Sequence, residues 1–328
     1  MAELKQKIAL AAVAAFVASP LAINAAAAAG YPEQAIRVIV PFAPGGSTDI
    51  VARIVTQRMA QELGQSMVVE NKGGAGGAIG AAEAARAKPD GYILSVATVS
   101  TMAVNPACRK DLPYNPLTDF VPITNFANLP NVIVVNPKFP AQDFKGFVQA
   151  LKAEPFKHSY GSSGTCSINH LFGEAFKHAT GTQIVHVPYK GSGPAVVDTV
   201  GGQVGVLFDN LPSSMAQIVA GNLRAIAIAG PARVTALKDV PTLAELGFPQ
   251  LNSPAWYGLL APKGTPPDIV KKLHDAAVVA LKDPSVIQAL EKQGATPSGN
   301  TPEEFAKEIK EQFDRAKVVV GQDNFKLD

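Results

Sequence analysis

Two short runs of glycines and hydroxyl residues are where this chain could do chemistry. The first is Pro44-Gly45-Gly46-Ser47-Thr48-Asp49, and the second is Gly161-Ser162-Ser163-Gly164-Thr165-Cys166-Ser167. Neither contains a lysine or an arginine. Each follows a strand-like run and precedes a stretch of helical periodicity, so each leaves backbone N–H groups unpaired at the positive end of a helix dipole. Such a corner can hold a carboxylate or a phosphate through amides and hydroxyls alone. Taken singly, either loop also reads as a capped helix with an adaptable turn; it is the pair that points to a ligand. Ser47, Thr48, Ser163, Gly164 and Thr165 are therefore the candidate binding residues, with Ser167 as helix cap. Asp49 would repel an anion. It can bond first-turn N–H groups, or accept from a ligand amine, hydroxyl or bridging water.

The elements that must position these corners follow from periodicity. Ile36–Val40 reads as a buried strand. Val51, Ile54, Val55, Met59 and Leu63 then fall on one helical face, and Gly64 supplies a stop. In the second unit, Ile168, Leu171, Phe172, Ala175, Phe176 and Ala179 form the stripe and Gly181 the stop. Strands alternate with helices from Gly30 onward, which indicates an α/β fold with largely parallel sheets. The texture changes near Asn128-Leu129-Pro130, where a second α/β series begins, and Trp256–Leu260 reads as a return crossing. Thr301-Pro302-Glu303-Glu304 opens the last helix with a cap, a proline and two acids. Asp209 follows Val206-Leu207-Phe208 at a strand end, where open α/β sheets meet their ligands. Gly191 allows close backbone approach, and the stretch Thr98–Thr101, Thr101 included, is a plausible wall. Phe42 and Tyr160 suit either the ligand or the core.

Composition narrows the function classes. The chain has 328 residues, of which 47% are hydrophobic, enough for two domains with ordinary cores. Only 17% are charged, with a formal net charge of +2 and no Lys/Arg run, so no footprint for nucleic acid exists. Lys5 and Lys7 precede an apolar run from Ile8 to Ala18 and an alanine-rich stretch ending near Ala29, the layout of a secretory signal peptide cleaved between Ala25 and Gly30. No later stretch is long enough to span a bilayer. The mature protein is expected to be soluble and exported, not membrane-embedded. Cys108 and Cys166 make no disulfide framework. A bridge between them would tie two lobes together and hinder opening, so two free thiols are expected.

At this level the chain resembles the periplasmic substrate-binding receptors of tripartite tricarboxylate transporters, the Bug receptors. The matching residues are Pro41–Asp49 with Ala52-Arg53, Val69–Gly77, Pro89–Tyr92, Asn105-Pro106 and Gly161–Gly164 with His170-Leu171 and Gly173-Glu174. Further on come Val187–Gly191, Phe208–Asn210, Asp239–Thr242 and Ala261–Pro266. The resemblance runs in order along essentially the whole mature chain. It implies a two-lobed, type II-like periplasmic binding protein, each lobe a mixed or mostly parallel sheet flanked by helices, with two crossing strands and the ligand cleft between the lobes. It implies lobe 1 at 30–131 plus 254–328 and lobe 2 at 132–253. It also implies a small carboxylate ligand (a di- or tricarboxylate, an acidic amino acid or an aromatic acid), no cofactor, a monomer, and membrane transporter subunits as partners. The sequence departs from the family pattern at Thr165-Cys166, where Gly or Asn is usual, and at Met102, where His is common.

Other classes fit less well. Gly73–Gly80 lacks the last glycine of a dinucleotide loop because Ile79 stands there. Gly161–Thr165 lacks the final glycine of a nucleophile elbow, and His170 with Glu174 reads as a helix pair rather than a serine-hydrolase triad. No His-Glu-x-x-His zinc pattern occurs. A sensor that reports occupancy to a membrane partner shares the fold expected of a transport receptor.

Overall fold

The computed structural model describes residues 30–321; the signal-peptide reading of 1–29 lies outside the described residues. The first series comprises β1 (Ile36–Val40), α1 (Ser47–Leu63), β2 (Met67–Asn71), α2 (Ala78–Ala85) and β3 (Ile93–Thr98). A π-helical turn at Ser100–Val104 then runs into the short α3 (Asn105–Cys108), and β4 (Phe120–Leu129) follows. The second series is β5 (Asn131–Val135), α4 (Phe144–Ala153), β6 (Ser159–Ser162), α5 (Ile168–Thr180), β7 (Val185–Pro188), α6 (Ser192–Val200), β8 (Val206–Asn210), α7 (Leu211–Val219) and β9 (Arg224–Ala229). The chain closes with β10 (Ala255–Pro262), α8 (Pro267–Lys282), α9 (Pro284–Lys292), β11 (Thr296–Pro297) and α10 (Pro302–Val320).

The strands form two sheets, and the result is a two-lobed α/β fold. One sheet has the order β11-β4-β10-β3-β1-β2, the other β7-β6-β8-β5-β9. Both are mixed rather than largely parallel. β1 pairs parallel with β2 and β3, but β10 runs antiparallel to β3 and β4. In the second sheet β6 is parallel to β7 and β8, while β5 is antiparallel to β8 and β9. The strand that each lobe receives after a crossing is therefore the one that breaks the parallel run. β5 shows why the second sheet is buried on both faces: Ile133 and Val135 join an aromatic cluster with Phe147, Tyr160, Phe176 and Phe208. Val132 and Val134 face the other way, against Ala195, Leu211 and Met215.

The two crossings lie side by side. β4 passes to β5 through Pro130 alone, and the side-chain amide of Asn131 donates to the Ser253 carbonyl of the returning segment at 2.6 Å. The last helix begins as read from its sequence, with a reciprocal capping box between Thr301 and Glu304.

The expectation of two free thiols is overturned: Cys108 and Cys166 form a disulfide, with Cα atoms 6.1 Å apart. Cys108 ends α3 beside the first sheet, and Cys166 lies in the loop between β6 and α5 of the second. The sequence argument against the bond assumed that the lobes had to part freely. The structure holds them together at this point.

Candidate functional site

The two sequence-read corners face each other. A small cavity between the sheets is lined by Phe42, Gly46, Ser47, Thr48, Thr98 and Ser100 on one side and by Ser163, Ser192 and Asn210 on the other, with Tyr257 of β10. Its volume is about 10 Å³, room for roughly one water-sized sphere. No lysine or arginine is among the lining residues. Three helices instead begin at the cavity: α1 at Ser47, α6 at Ser192, and α7 immediately after Asn210. Three positive dipole ends converge on one space, so the site is electropositive without a basic side chain.

The lobes meet through hydrogen bonds around this cavity. Ser47 Oγ donates to the Asn210 carbonyl at 2.8 Å and accepts from the Ser213 backbone N–H at 2.8 Å. Ala43 N–H donates to the Lys190 carbonyl at 3.0 Å, and Ile168 N–H, the first of α5, donates to Ser100 Oγ at 2.9 Å. Tyr257 OH donates to Asn210 Oδ1 at 2.9 Å. Between these bonds the contacts are glycine to backbone. Gly164 has φ +126, and a Cβ there would meet the Tyr189 carbonyl at 2.9 Å and Gly76 N at 3.2 Å. Only glycine tolerates both that φ and that approach.

The predicted site residues divide as follows. Phe42, Ser47, Thr48 and Ser163 line the cavity. Gly164, Thr165 and Gly191 lie on the contact between lobes, Gly191 against Phe42 and Ala43 and Thr165 with its carbonyl accepting from Arg109. Thr101 is fully buried one step behind the wall, hydrogen-bonded to Thr98. Asp49 turns away from the cavity: it accepts from Gly45 N–H at 3.0 Å, pairs with Arg53 at 2.9 Å and accepts from Asn71 at 3.0 Å. Burial alone would raise its pKa, but Arg53, the Gly45 amide and Asn71 together hold it below the ordinary carboxylate range. Asp209 is also behind the wall. It is fully buried, accepts from Ser213 and Ser214 hydroxyls at 2.5 and 2.6 Å, and its pKa is raised by desolvation. It thereby fixes Ser213, the residue that Ser47 meets across the cleft. Tyr160 belongs to the core, donating to Glu174 at 2.7 Å.

Ser192, Asn210 and Tyr257 were missed as lining residues. Ser192 had a readable mark: Val185–Pro188 runs through Gly191-Ser192-Gly193 into a helix, the same strand–glycine–hydroxyl pattern as the other two corners. Asn210 and Tyr257 carry no local pattern, because only the crossing of β10 against the second lobe brings them to the cavity.

The second corner is held from behind by two histidines. His170 and His186 stack with ring centroids 3.8 Å apart. His170 Nδ1 accepts from Cys166 N–H at 3.2 Å, and His186 Nε2 lies 2.6 Å from Ser162 Oγ. Desolvation, with Lys177 adding to it, lowers His170 to about 4. Desolvation and then His170 lower His186 to about 3. Both rings are therefore neutral near pH 7. Ser162 is fully buried and is not among the cavity-lining residues, so this Ser–His contact braces the loop and presents no nucleophile to the cleft.

Residues 51–325 match the family described as "Tripartite tricarboxylate transporter family receptor". The chain belongs to that receptor family. Among its relatives, Protein BugT of Bordetella pertussis is 39% identical over 319 residues, covering 97% of this chain and 98% of BugT. A solved structure described as a periplasmic transporter superposes with a TM-score of 0.90 at 75% identity, covering 91% of this chain and all of that one. The structure of MatC from Rhodopseudomonas palustris with bound malate superposes at 0.84 with 33% identity, covering 88% of this chain and all of MatC. The family is one of solute-binding receptors, and the amide-lined cleft is the feature of this chain on which such a role would rest. Among the described residues no helix is long and apolar enough to cross a membrane.

Proposed function

We propose that this receptor closes two lobes, 30–131 with 254–328 and 132–253, over one small carboxylate in the periplasm and hands it to the membrane subunits of a tripartite transporter. The observation that carries the reading is the convergence of the α1, α6 and α7 N-termini on a cavity without a basic side chain. A carboxylate placed there would satisfy N–H and hydroxyl donors of both lobes at once, and only the closed form offers both sets. The family membership and the malate carried by MatC support the same ligand class. Because the present cavity has room for little more than a water, a dicarboxylate enters by parting the lobes and is enclosed with a slightly wider gap between them. The N–H groups at Ser47, Thr48, Ser163 and Ser192 are the donors assigned to it, joined by the Ser47 and Ser163 hydroxyls once these turn from Asn210 and Asn169 to the ligand, with Phe42 and Tyr257 shaping the rest of the pocket.

A thermal-shift screen over malate, citrate, glutamate, nicotinate, adipate and terephthalate tests the ligand class. A true ligand at a hundred times its Kd stabilises the fold by about 2.7 kcal/mol. The reading fails if no member of the panel, nor any related small carboxylate, moves the transition.

A further inference from the structure

The disulfide spans the two lobes at the edge of the cavity. Three residues before Cys166 stands Ser163, which lines the cavity, and two residues after it Ile168 donates to Ser100, also a lining residue. On the other side Arg109, next to Cys108, donates to the Thr165 carbonyl at 3.4 Å. Apart from the two chain crossings, every other contact between the lobes described above is a hydrogen bond or a van der Waals approach. This one is covalent. A disulfide keeps its Cα atoms within about 6.8 Å, and here they are already 6.1 Å apart. The disulfide therefore limits how far the chain beside the Ile168–Ser100 and Arg109–Thr165 bonds can part.

The surroundings favour exchange over inertness. Cys166 is buried whereas Cys108 is only half-buried, so Cys108 is the more accessible side of the bond. The group expelled is the Cys166 thiolate, at the N-terminal end of the thirteen-residue α5. The Arg109 guanidinium bonds the carbonyl of the preceding residue, Thr165, and Arg109 Nε has no hydrogen-bond partner among the described residues. A helix N-terminus and a guanidinium both stabilise a leaving thiolate, and a stabilised thiolate leaves faster.

We propose that the Cys108–Cys166 disulfide is a thiol-exchangeable latch: intact, it holds the lobes shut beside the cavity, and reduction by a dithiol frees them to open. A thiolate of the dithiol attacks Cys108 Sγ, the S–S bond breaks, and the Cys166 thiolate departs and takes up a proton. The second thiol of the reagent then resolves the mixed disulfide, leaving two protein thiols and an oxidised, cyclic reagent. Ligand capture and release would both be slow in the disulfide form; this consequence rests on the carboxylate reading above, whereas the latch itself does not.

Hydrogen exchange at the Ile168 and Ala43 amides, both donors across the cleft, reads the latch without any ligand. With dithiothreitol, the thiol titre of the full chain should rise from zero to two. Exchange at both amides should accelerate by about tenfold or more, with the amides of β8 unchanged. Cys108→Ser should exchange fast with or without reductant, and reduced wild type capped with iodoacetamide guards against a folding defect in that variant. The association rate of malate should rise on reduction by a similar factor. If the exchange rates respond but none of malate, citrate, glutamate, nicotinate, adipate and terephthalate, nor any related small carboxylate, binds either form, the latch stands and the carboxylate reading falls. Two titratable thiols before reduction, or two new thiols with amide exchange changed less than about twofold, would overturn the proposal.

Discussion

Gly193 offers a way to obstruct closure without damaging either lobe. It sits in the first turn of α6, and a Cβ built on it would overlap the Pro44 carbonyl oxygen and stand 3.2 Å from Gly45 C and Gly46 N. All three atoms belong to the opposite lobe. Within its own helix the alanine is welcome, by about 1 kcal/mol relative to glycine. Gly193→Ala therefore sets local stability against lobe contact. To relieve the overlap the lobes must back off on the order of 1 Å along this edge. The neighbouring bonds from Ala43 to Lys190 at 3.0 Å and from Ser213 to Ser47 at 2.8 Å would then stretch beyond hydrogen-bonding range. Losing two such bonds costs about 1–3 kcal/mol, which lowers ligand affinity by roughly 5- to 150-fold. Calorimetric titration of the reduced protein, whose lobes are free to part, with the carboxylate found in the thermal-shift screen measures the loss, and the melting temperature of the reduced, ligand-free protein should hold or rise. An affinity within twofold of wild type would refute the argument, because the bound form would then not bring α6 against Gly45-Gly46.

Three further outcomes follow from the same geometry. Ser47→Ala with Ser163→Ala should weaken carboxylate binding by roughly 1–3 kcal/mol in calorimetry, and unchanged binding would remove both residues from the site. Asp209→Ala deletes the buried acceptor of two serine hydroxyls, and chemical denaturation should show a loss of about 2–4 kcal/mol, with Ser213 no longer fixed opposite Ser47. The stacked histidines predict a pH dependence: the unfolded chain binds their protons below about pH 6.5 while the fold refuses them down to about 4 for His170 and about 3 for His186. That contribution is complete above pH 6.5 and shrinks as pH falls, by up to about 1.4 kcal/mol per pH unit for each ring. Between pH 6.5 and 5, where ordinary carboxylates stay ionised, wild type should lose stability and His170→Gln with His186→Gln should lose much less; parallel curves would contradict the assignment.

Local order along the chain revealed the first corner almost whole. Ile36–Val40, the glycine turn and the Ser47 helix start are contiguous, so strand, turn and dipole could be read from one stretch of sequence. Ser163 was found for the same reason. Asp209 was legible as a strand-end carboxylate but not as a support lying behind the wall, because its burial depends on α7 folding back over it. β4 escaped notice: Pro122, Asn125 and Asn128 interrupt its alternation. The structure accommodates Pro122 opposite Leu260, where the β4–β10 register shifts, the kind of irregularity that admits proline in a sheet. The disulfide could not be read either, since its partners are 58 residues apart and meet only when the two lobes close. The physical objection raised against it, that it would hinder opening, is the property that now gives it a possible use.

The central claim is that amides and hydroxyls of both lobes grip one carboxylate. A crystal structure of the protein with the carboxylate that gives the largest thermal shift tests this most directly. The account predicts a carboxylate in the cleft with oxygens within about 3.2 Å of N–H or hydroxyl donors at 47–48 in one lobe and at 163 or 192 in the other. A ligand held by a lysine or arginine side chain, or bound to one lobe alone, would contradict it.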